Sequence, residues 1–294
     1  MRIRSWLFVP GDSERKLGKA AHSDADVVIL DLEDAVRENA KPQARIMARS
    51  WLVAQAAERR DDPGPARWVR INAMDTLHWR EDLSVVLAGK PAGIVLPKAS
   101  GPAQLQQLAA ELYELEERSG IAPGATHILP LVSETPRAAL SIASYAELAL
   151  PRLTGLTWGA EDLSVALGAT RKREATGEWT DSFRMVRAQV LLTAHAAGVA
   201  AIDTLLSDFR DLAALDRAAR ASRADGFQGM LAIHPDQVPV INAAFAPDEA
   251  ELANARAIVE AFAADPAAGV LQVDGKMVDR PHLEQARRLL GRTA

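Results

Sequence analysis

Two acidic side chains, Glu134 and Asp162, stand just past the ends of short apolar runs, LPLVS before the first and LTWG before the second. Carboxylates delivered from the ends of adjacent strands can converge on one point. Such a pair suits a hard dication such as Mg²⁺, which takes oxygen ligands and commonly uses one or two protein carboxylates plus water. Plainer readings compete. Glu134 precedes Thr135-Pro136, an N-cap and first-turn pair, and Asp162 could cap a helix that starts near Leu163. The neighbouring Gly159-Ala160 leaves room for a ligand close to the backbone.

Arg70 is a third candidate. In Trp68-Val69-Arg70-Ile71-Asn72, strand alternation puts Val69 and Ile71 on one face and Arg70 on the other. With the apolar face packed on helices, Arg70 points into the mouth of a barrel. A guanidinium there needs an anion, either a bound carboxylate or a structural partner at Asp31 or Glu33. Other polar groups close apolar runs as well: Asp31, Glu33 and Asp34; Lys98; Asp203; and His234, which reads as a structural loop residue before Pro235. Arg15, Lys16 and Lys19 open a helix near the start and form either a phosphate-binding wall or a solvated basic face. No GxSxG nucleophile elbow is present.

The elements that must position these groups follow from the pattern. Eight apolar runs read as strands: Trp6–Val9, Val27–Leu32, Trp68–Ile71, Gly93–Leu96, His127–Val132, Leu153–Trp158, Val199–Ile202 and Met230–Ile233. Helical stretches lie between them, among them Pro42–Arg59, Pro102–Glu117, Ser182–Ala197 and Phe209–Ala224. This rhythm predicts a closed (β/α)₈ barrel, with the active site at the carboxyl ends of the strands. An open doubly wound sheet is the weaker reading, because Pro10-Gly11-Asp12-Ser13 is no Gly-rich phosphate loop. The barrel is expected over residues 1–246. Residues 247–294 read as an extension with a helix near Pro247–Ala264, a hairpin turning at Asp274-Gly275 and a last helix, Pro281–Gly291. Trp6, Trp68 and Trp158 are expected in the core.

Composition narrows the classes. A net charge of −5 argues against a nucleic-acid surface. The absence of cysteine removes thiolate chemistry and disulfides and suits a reducing cytoplasm. No apolar run approaches the ~20 residues of a membrane span, and the first apolar stretch is too short for a signal-peptide core.

Taken together and in order, RSWLFVPGDSERKLGKA, DVVILDLEDAV, WVRIN, GIVLPK, LPLVSETPRAAL, LTWGAEDLSVALGA, AIDT and GMLAIHPDQV resemble the citrate lyase β-subunit-like branch of the HpcH/HpaI aldolase superfamily. The resemblance implies a TIM-type barrel in a trimer or larger homo-oligomer, with Mg²⁺ held by Glu134 and Asp162. It implies that Arg70 meets the substrate carboxylate or thioester oxygen and that Glu33 and Asp34 hold the metal's waters. It places Arg15, Lys16 and Lys19 beside coenzyme A. The tail DGKMVDRPHLEQARRLL is similar to a lid that carries an aspartate, here Asp279, into a neighbouring subunit; otherwise Asp279 is the N-cap of the last helix. The implied reaction is reversible cleavage of a 3-hydroxyacyl-CoA, of the malyl-CoA or citramalyl-CoA type, to an acyl-CoA and a 2-oxo acid. Thioester hydrolysis, a CoA-independent oxo-acid aldolase, and a subunit of a multi-protein citrate lyase remain as alternatives.

Overall fold

The computed structural model describes residues 3–58 and 64–291. They form two compact units, Met1–Phe245 and Ala246–Ala294. In the first unit, eight strands run in parallel: β1 (Ser5–Pro10), β2 (Val27–Asp31), β3 (Ala66–Arg70), β4 (Gly93–Leu96), β5 (His127–Pro130), β6 (Gly155–Leu156), β7 (Ala200–Asp203) and β8 (Gly229–Ala232). Their order is β5-β4-β3-β2-β1-β8-β7-β6. Single parallel bridges, Ile128 to Leu153 and Leu131 to Thr157, join β5 to the β6 segment and nearly close the barrel. Strand six is therefore shorter than the sequence suggests, because its outer residues pair only through isolated bridges. Strand two likewise stops at Asp31 rather than Leu32, where pairing to Arg70 ends.

Alternation sorts the strand residues into two shells. Trp6, Ile29, Trp68, Val95, Leu129, Ile202 and Leu231 fill the barrel interior. Leu7, Val28, Leu30, Val69, Ile71, Ile94 and Leu96 pack outward against helices. Continuous apolar runs of this kind are what a parallel sheet covered on both faces requires. Trp6 and Trp68 meet edge to face inside, with centroids 5.1 Å apart. Gly93 is needed beneath them: a Cβ there would stand 2.4 Å from the Trp68 ring.

The helices of this unit are α1 (Glu14–Ala20), α2 (Lys41–Ala57), α3 (Trp79–Val86), α4 (Pro102–Ser119), α5 (Pro136–Leu140), α6 (Ala160–Leu167), α7 (Asp181–Ala196), α8 (Leu212–Asp225) and α9 (Gln237–Phe245). Their starts follow local chemistry. Pro102 and Pro136 occupy first-turn positions. Asp211 accepts from the N–H of Ala214, so α8 starts later than Phe209. Helix α2 ends at Ala57 among the described residues, and the expected end at Arg59 lies outside them.

The second unit contains α10 (Glu249–Ala264), β9 (Val270–Val273), β10 (Lys276–Asp279) and α11 (Arg280–Gly291). Asp248 and Glu251 form a reciprocal capping box at the start of α10. Asp274 and Gly275 both have positive φ, as a tight hairpin turn demands. Phe262, Ile258, Val278 and Leu283 share a small core. Among the described residues, no helix is long and apolar enough to cross a membrane.

Candidate active site

The polar groups gather where the barrel strands end. Asp31, the last residue of β2, and Arg70, the last of β3, point inward on the same face as Ile29 and Trp68. Arg70 donates Nε to Asp31 at 2.8 Å and NH2 to the other oxygen at 2.6 Å. Its NH1 lies 2.9 Å from Glu33, and its guanidinium stacks 4.7 Å from the Phe8 ring centre. Burial opposes the charge of Arg70, but Asp31, Glu33 and Glu134 more than offset this and hold its pKa above the ordinary arginine value. Both expected partners are thus present, and they fix the guanidinium at the barrel mouth.

Glu134 follows β5 and is 3% exposed. It caps nothing: the adjacent Thr135 receives the N–H of Ala138 and caps α5. One Glu134 oxygen accepts the backbone N–H of Lys98, which follows β4. Lys98 adopts the left-handed conformation, φ 49°, to aim that N–H. For a residue with a Cβ, this costs on the order of 1 kcal/mol. Burial pushes the Glu134 carboxyl up to about 8; Glu33 and Asp162 push the same way, while the Lys98 N–H and Arg70 oppose. A buried acid surrounded by other acids is one that a cation would ionise.

Asp162 lies within the first turn of α6, whose N-cap position is Gly159, so it is not the cap. Gly159 matters in a different way from a ligand cradle. A Cβ at Gly159 would stand 2.9 Å from Cγ and 3.0 Å from Oε1 of Glu134. The glycine makes room for the glutamate itself.

Lys98 binds these groups together. Its ammonium lies 2.5 Å from Glu33, 3.5 Å from Asp34 and 3.8 Å from Asp162. Burial works against its charge, but Glu33 and Asp34 keep its pKa above the ordinary lysine value. Burial also raises the pKa of Glu33, despite Arg70 and Lys98. Its Oε2 is buried and faces the Arg70 NH1 at 2.9 Å. Glu33, Asp34 and Asp162 therefore gather round the Lys98 ammonium, and Glu134 holds the Lys98 backbone. Among the described residues, no group of three or more His, Cys, Asp or Glu side chains is placed to hold a metal ion. Glu134 and Asp162, close enough for Asp162 to raise the Glu134 pKa, have the donor chemistry of a hard dication that takes one or two carboxylates and completes its shell with water.

A cavity of about 830 Å³ lies beside this cluster and reaches its Asp34, while Glu33, Lys98, Glu134 and Asp162 stand behind its lining. Asp31, Asp34 and Arg70 line one part; Arg15, Lys16 and Lys19 of α1 line another. His234 lines it too and stacks on Phe209 at 4.8 Å, so it belongs to the cavity wall rather than only to a loop. Asp203 does not reach the mouth. It faces outward, where Trp158, Arg187 and Ser222 engage it.

Asp279 ends β10 in the second unit. It accepts from the N–H of His282 at 3.4 Å and pairs with the His282 ring at 2.5 Å. The cap geometry is thus present, and the hydrogen bond from His282 lowers the Asp279 pKa.

Sequence reasoning named Asp31 as an Arg70 partner and Lys98 as a strand-end cation, but it gave Lys98 no part in the site; the signal for one is a cation directly after a strand end.

The chain is similar over its length to proteins of known name. The family model for HpcH/HpaI aldolase/citrate lyase matches residues 4–235. A (3S)-malyl-CoA thioesterase of Cereibacter sphaeroides is 35% identical over 292 residues, covering 99% of this chain and 94% of that one. The mitochondrial citramalyl-CoA lyase of Rattus norvegicus is 30% identical over 298 residues, covering 98% and 85%. The crystal structure of the CitE protein of Mycobacterium tuberculosis, in complex with magnesium, acetoacetate and coenzyme A, superposes with a TM-score of 0.76 at 36% identity, covering 99% and 98%. An inward-facing acidic cluster, its arginine and this match lead to one conclusion: the chain belongs to the HpcH/HpaI aldolase/citrate lyase family.

Proposed function

We propose that the chain is a Mg²⁺-dependent carbon–carbon lyase that cleaves a 3-hydroxyacyl-CoA, of the citramalyl-CoA or malyl-CoA type, to an acyl-CoA and a 2-oxo acid. One observation carries this reading: a single cavity joins the Arg70 end, beside the acidic cluster, to the basic wall of Arg15, Lys16 and Lys19. The first end suits a small acid, and the second suits the phosphates of coenzyme A. The magnesium, acetoacetate and coenzyme A bound to the M. tuberculosis CitE support the same pairing of ligands.

Glu134 and Asp162 would hold the metal, with Glu33 and Asp34 holding its waters. When bound, Mg²⁺ supplies Lewis-acid polarisation of the oxygen at which the new carbonyl forms. Cleavage breaks the bond between C2 and C3 of the acyl chain. Its electrons pass to the thioester as an enolate, the hydroxyl gives up its proton, and the α-carbon takes one up. Arg70, oriented by Asp31, stabilises the negative oxygen of that enolate. Asp279, held ionised by His282, accepts the hydroxyl proton from the extension of a neighbouring copy. This role requires a homo-oligomer, proposed as a trimer or a multiple of one. The proposed location is the cytoplasm, in keeping with a chain without cysteine.

The C. sphaeroides relative favours a second reading on the same site, hydrolysis of the thioester. Purified protein incubated with citramalyl-CoA and malyl-CoA, with Mg²⁺ or with EDTA, separates the two. Mass analysis showing pyruvate or glyoxylate with acetyl-CoA supports the lyase; free hydroxy acid with free CoA supports the thioesterase. Failure to cleave either compound in Mg²⁺ sinks both.

A further inference from the structure

Lys41 opens α2 and is buried, 7% exposed. Among the described residues, no carboxylate lies within ion-pairing distance of it. Lysines are almost never buried this way unless paired, and burying an ammonium costs several kcal/mol. Its partners explain its presence. The ammonium donates to the carbonyl oxygens of Leu32 at 3.1 Å and Glu33 at 3.2 Å, and to Oδ1 of Asn72 at 2.5 Å.

Those two carbonyls belong to the turn that follows β2. The ladder between β2 and β3 ends with Asp31 opposite Arg70, so the sheet offers the turn's carbonyls no strand partner. Within the turn the Val36 N–H reaches the Glu33 oxygen at 3.1 Å, and Lys41 adds a charged donor to both carbonyls, tying them to α2. Asn72 adds its Nδ2 to the Leu32 oxygen at 3.0 Å. Asp82 fixes Asn72 at 2.7 Å, and Arg45 fixes Asp82 at 2.6 Å. From the barrel side, Asp31 accepts the N–H groups of Glu33 at 2.9 Å and Ala35 at 3.3 Å. The turn over residues 31–35 is therefore gripped on both faces, and it is the segment that presents Glu33 and Asp34.

We propose that Lys41 is a positioning residue, which locks this turn from outside the barrel so that Glu33 and Asp34 face the cation-binding volume. It acts through the Leu32 and Glu33 carbonyls and touches no reacting atom. The metal half of the statement rests on the proposed function; the locking of the turn does not.

The test uses the full chain as wild type and as Lys41→Met, with Lys41→Gln as the second variant should the first not fold. Arg152→Met is the control for simple loss of stability, because it breaks a buried ion pair elsewhere. Hydrogen–deuterium exchange is followed in a peptide covering residues 31–36, and MgCl₂ is titrated calorimetrically. Lys41→Met is expected to speed exchange in this peptide at least about tenfold, because the local opening becomes cheaper. Mg²⁺ affinity is expected to fall by roughly 10- to 100-fold, the usual cost of losing an outer-shell partner. Arg152→Met should melt lower yet change neither readout by more than about threefold. Unchanged exchange in the Lys41 variant overturns the proposal. Faster exchange with undiminished Mg²⁺ affinity overturns its positioning half. Wild type that binds no Mg²⁺ sinks the metal reading, while the exchange result still decides whether Lys41 locks the turn.

Discussion

Glu134 owes its place to what its neighbours lack or give up. Gly159 gives up a side chain, and Lys98 gives up an ordinary backbone conformation. Because the φ of Gly159 is −110°, alanine there meets no backbone penalty, and the nearest atoms it meets are those of the glutamate. Gly159→Ala is therefore expected to fold with nearly wild-type stability while weakening Mg²⁺ binding roughly tenfold, checked by calorimetry beside a melting curve. Glu134→Gln, which keeps the shape and removes the charge, should lower turnover by at least about 100-fold with little change in melting temperature. The ETP and GAED segments made Glu134 and Asp162 legible, and alternation made Arg70 legible. The sequence could not show that Gly159 serves Glu134, since that contact joins residues 25 positions apart by sequence number across two strands.

At the scale of elements, the two ends of the barrel are built for different ends. Opposite the mouth, Glu116 of α4 grips Arg152 at 2.6 and 2.7 Å and accepts the N–H groups of Gly124 and Thr126. This clamps α4 to the beginnings of β5 and β6. Burial alone would raise the Glu116 pKa, but Arg152 and the two N–H groups overcome it and hold the group down to about 2. The sign follows: its stabilisation is complete above the ordinary value of 4.5 and is lost as pH falls from there towards 2. Glu116→Gln strands Arg152 without its counter-charge. It should lose roughly 3 to 5 kcal/mol at neutral pH and show a shallower fall in melting temperature through that acid window. Turnover of the folded fraction should be unchanged. Helices and strands were readable from periodicity, and the Asp274-Gly275 hairpin from its turn residues. The short β6 was not, because an apolar run carries no record of how many of its residues find ladder partners.

For the whole molecule, the proposed use of Asp279 by a neighbouring copy is open to a mixing experiment. Asp279→Ala and Glu134→Gln proteins, each nearly inactive, are unfolded or dissociated together and reassembled. If each site draws Glu134 from one copy and Asp279 from the next, random reassembly restores roughly a quarter of the sites. No recovery from a mixture that has demonstrably exchanged subunits would reduce Asp279 to the cap of α11. The βα rhythm stops near residue 246, and that is the signal from which the sequence reading divides barrel from extension. The partner that an extension meets leaves no trace in one chain's pattern. The packed interior has a consequence of its own. Trp6, Trp68, Leu129 and Leu231 leave the barrel blind at its far end. A small acid seated beside Arg70 then shares one doorway with the bulkier thioester. In the proposed lyase reaction, products should then depart in a fixed sequence, the acyl-CoA first and the oxo acid last. Steady-state inhibition would display that order: the oxo acid should compete with the substrate, while the acyl-CoA should inhibit non-competitively.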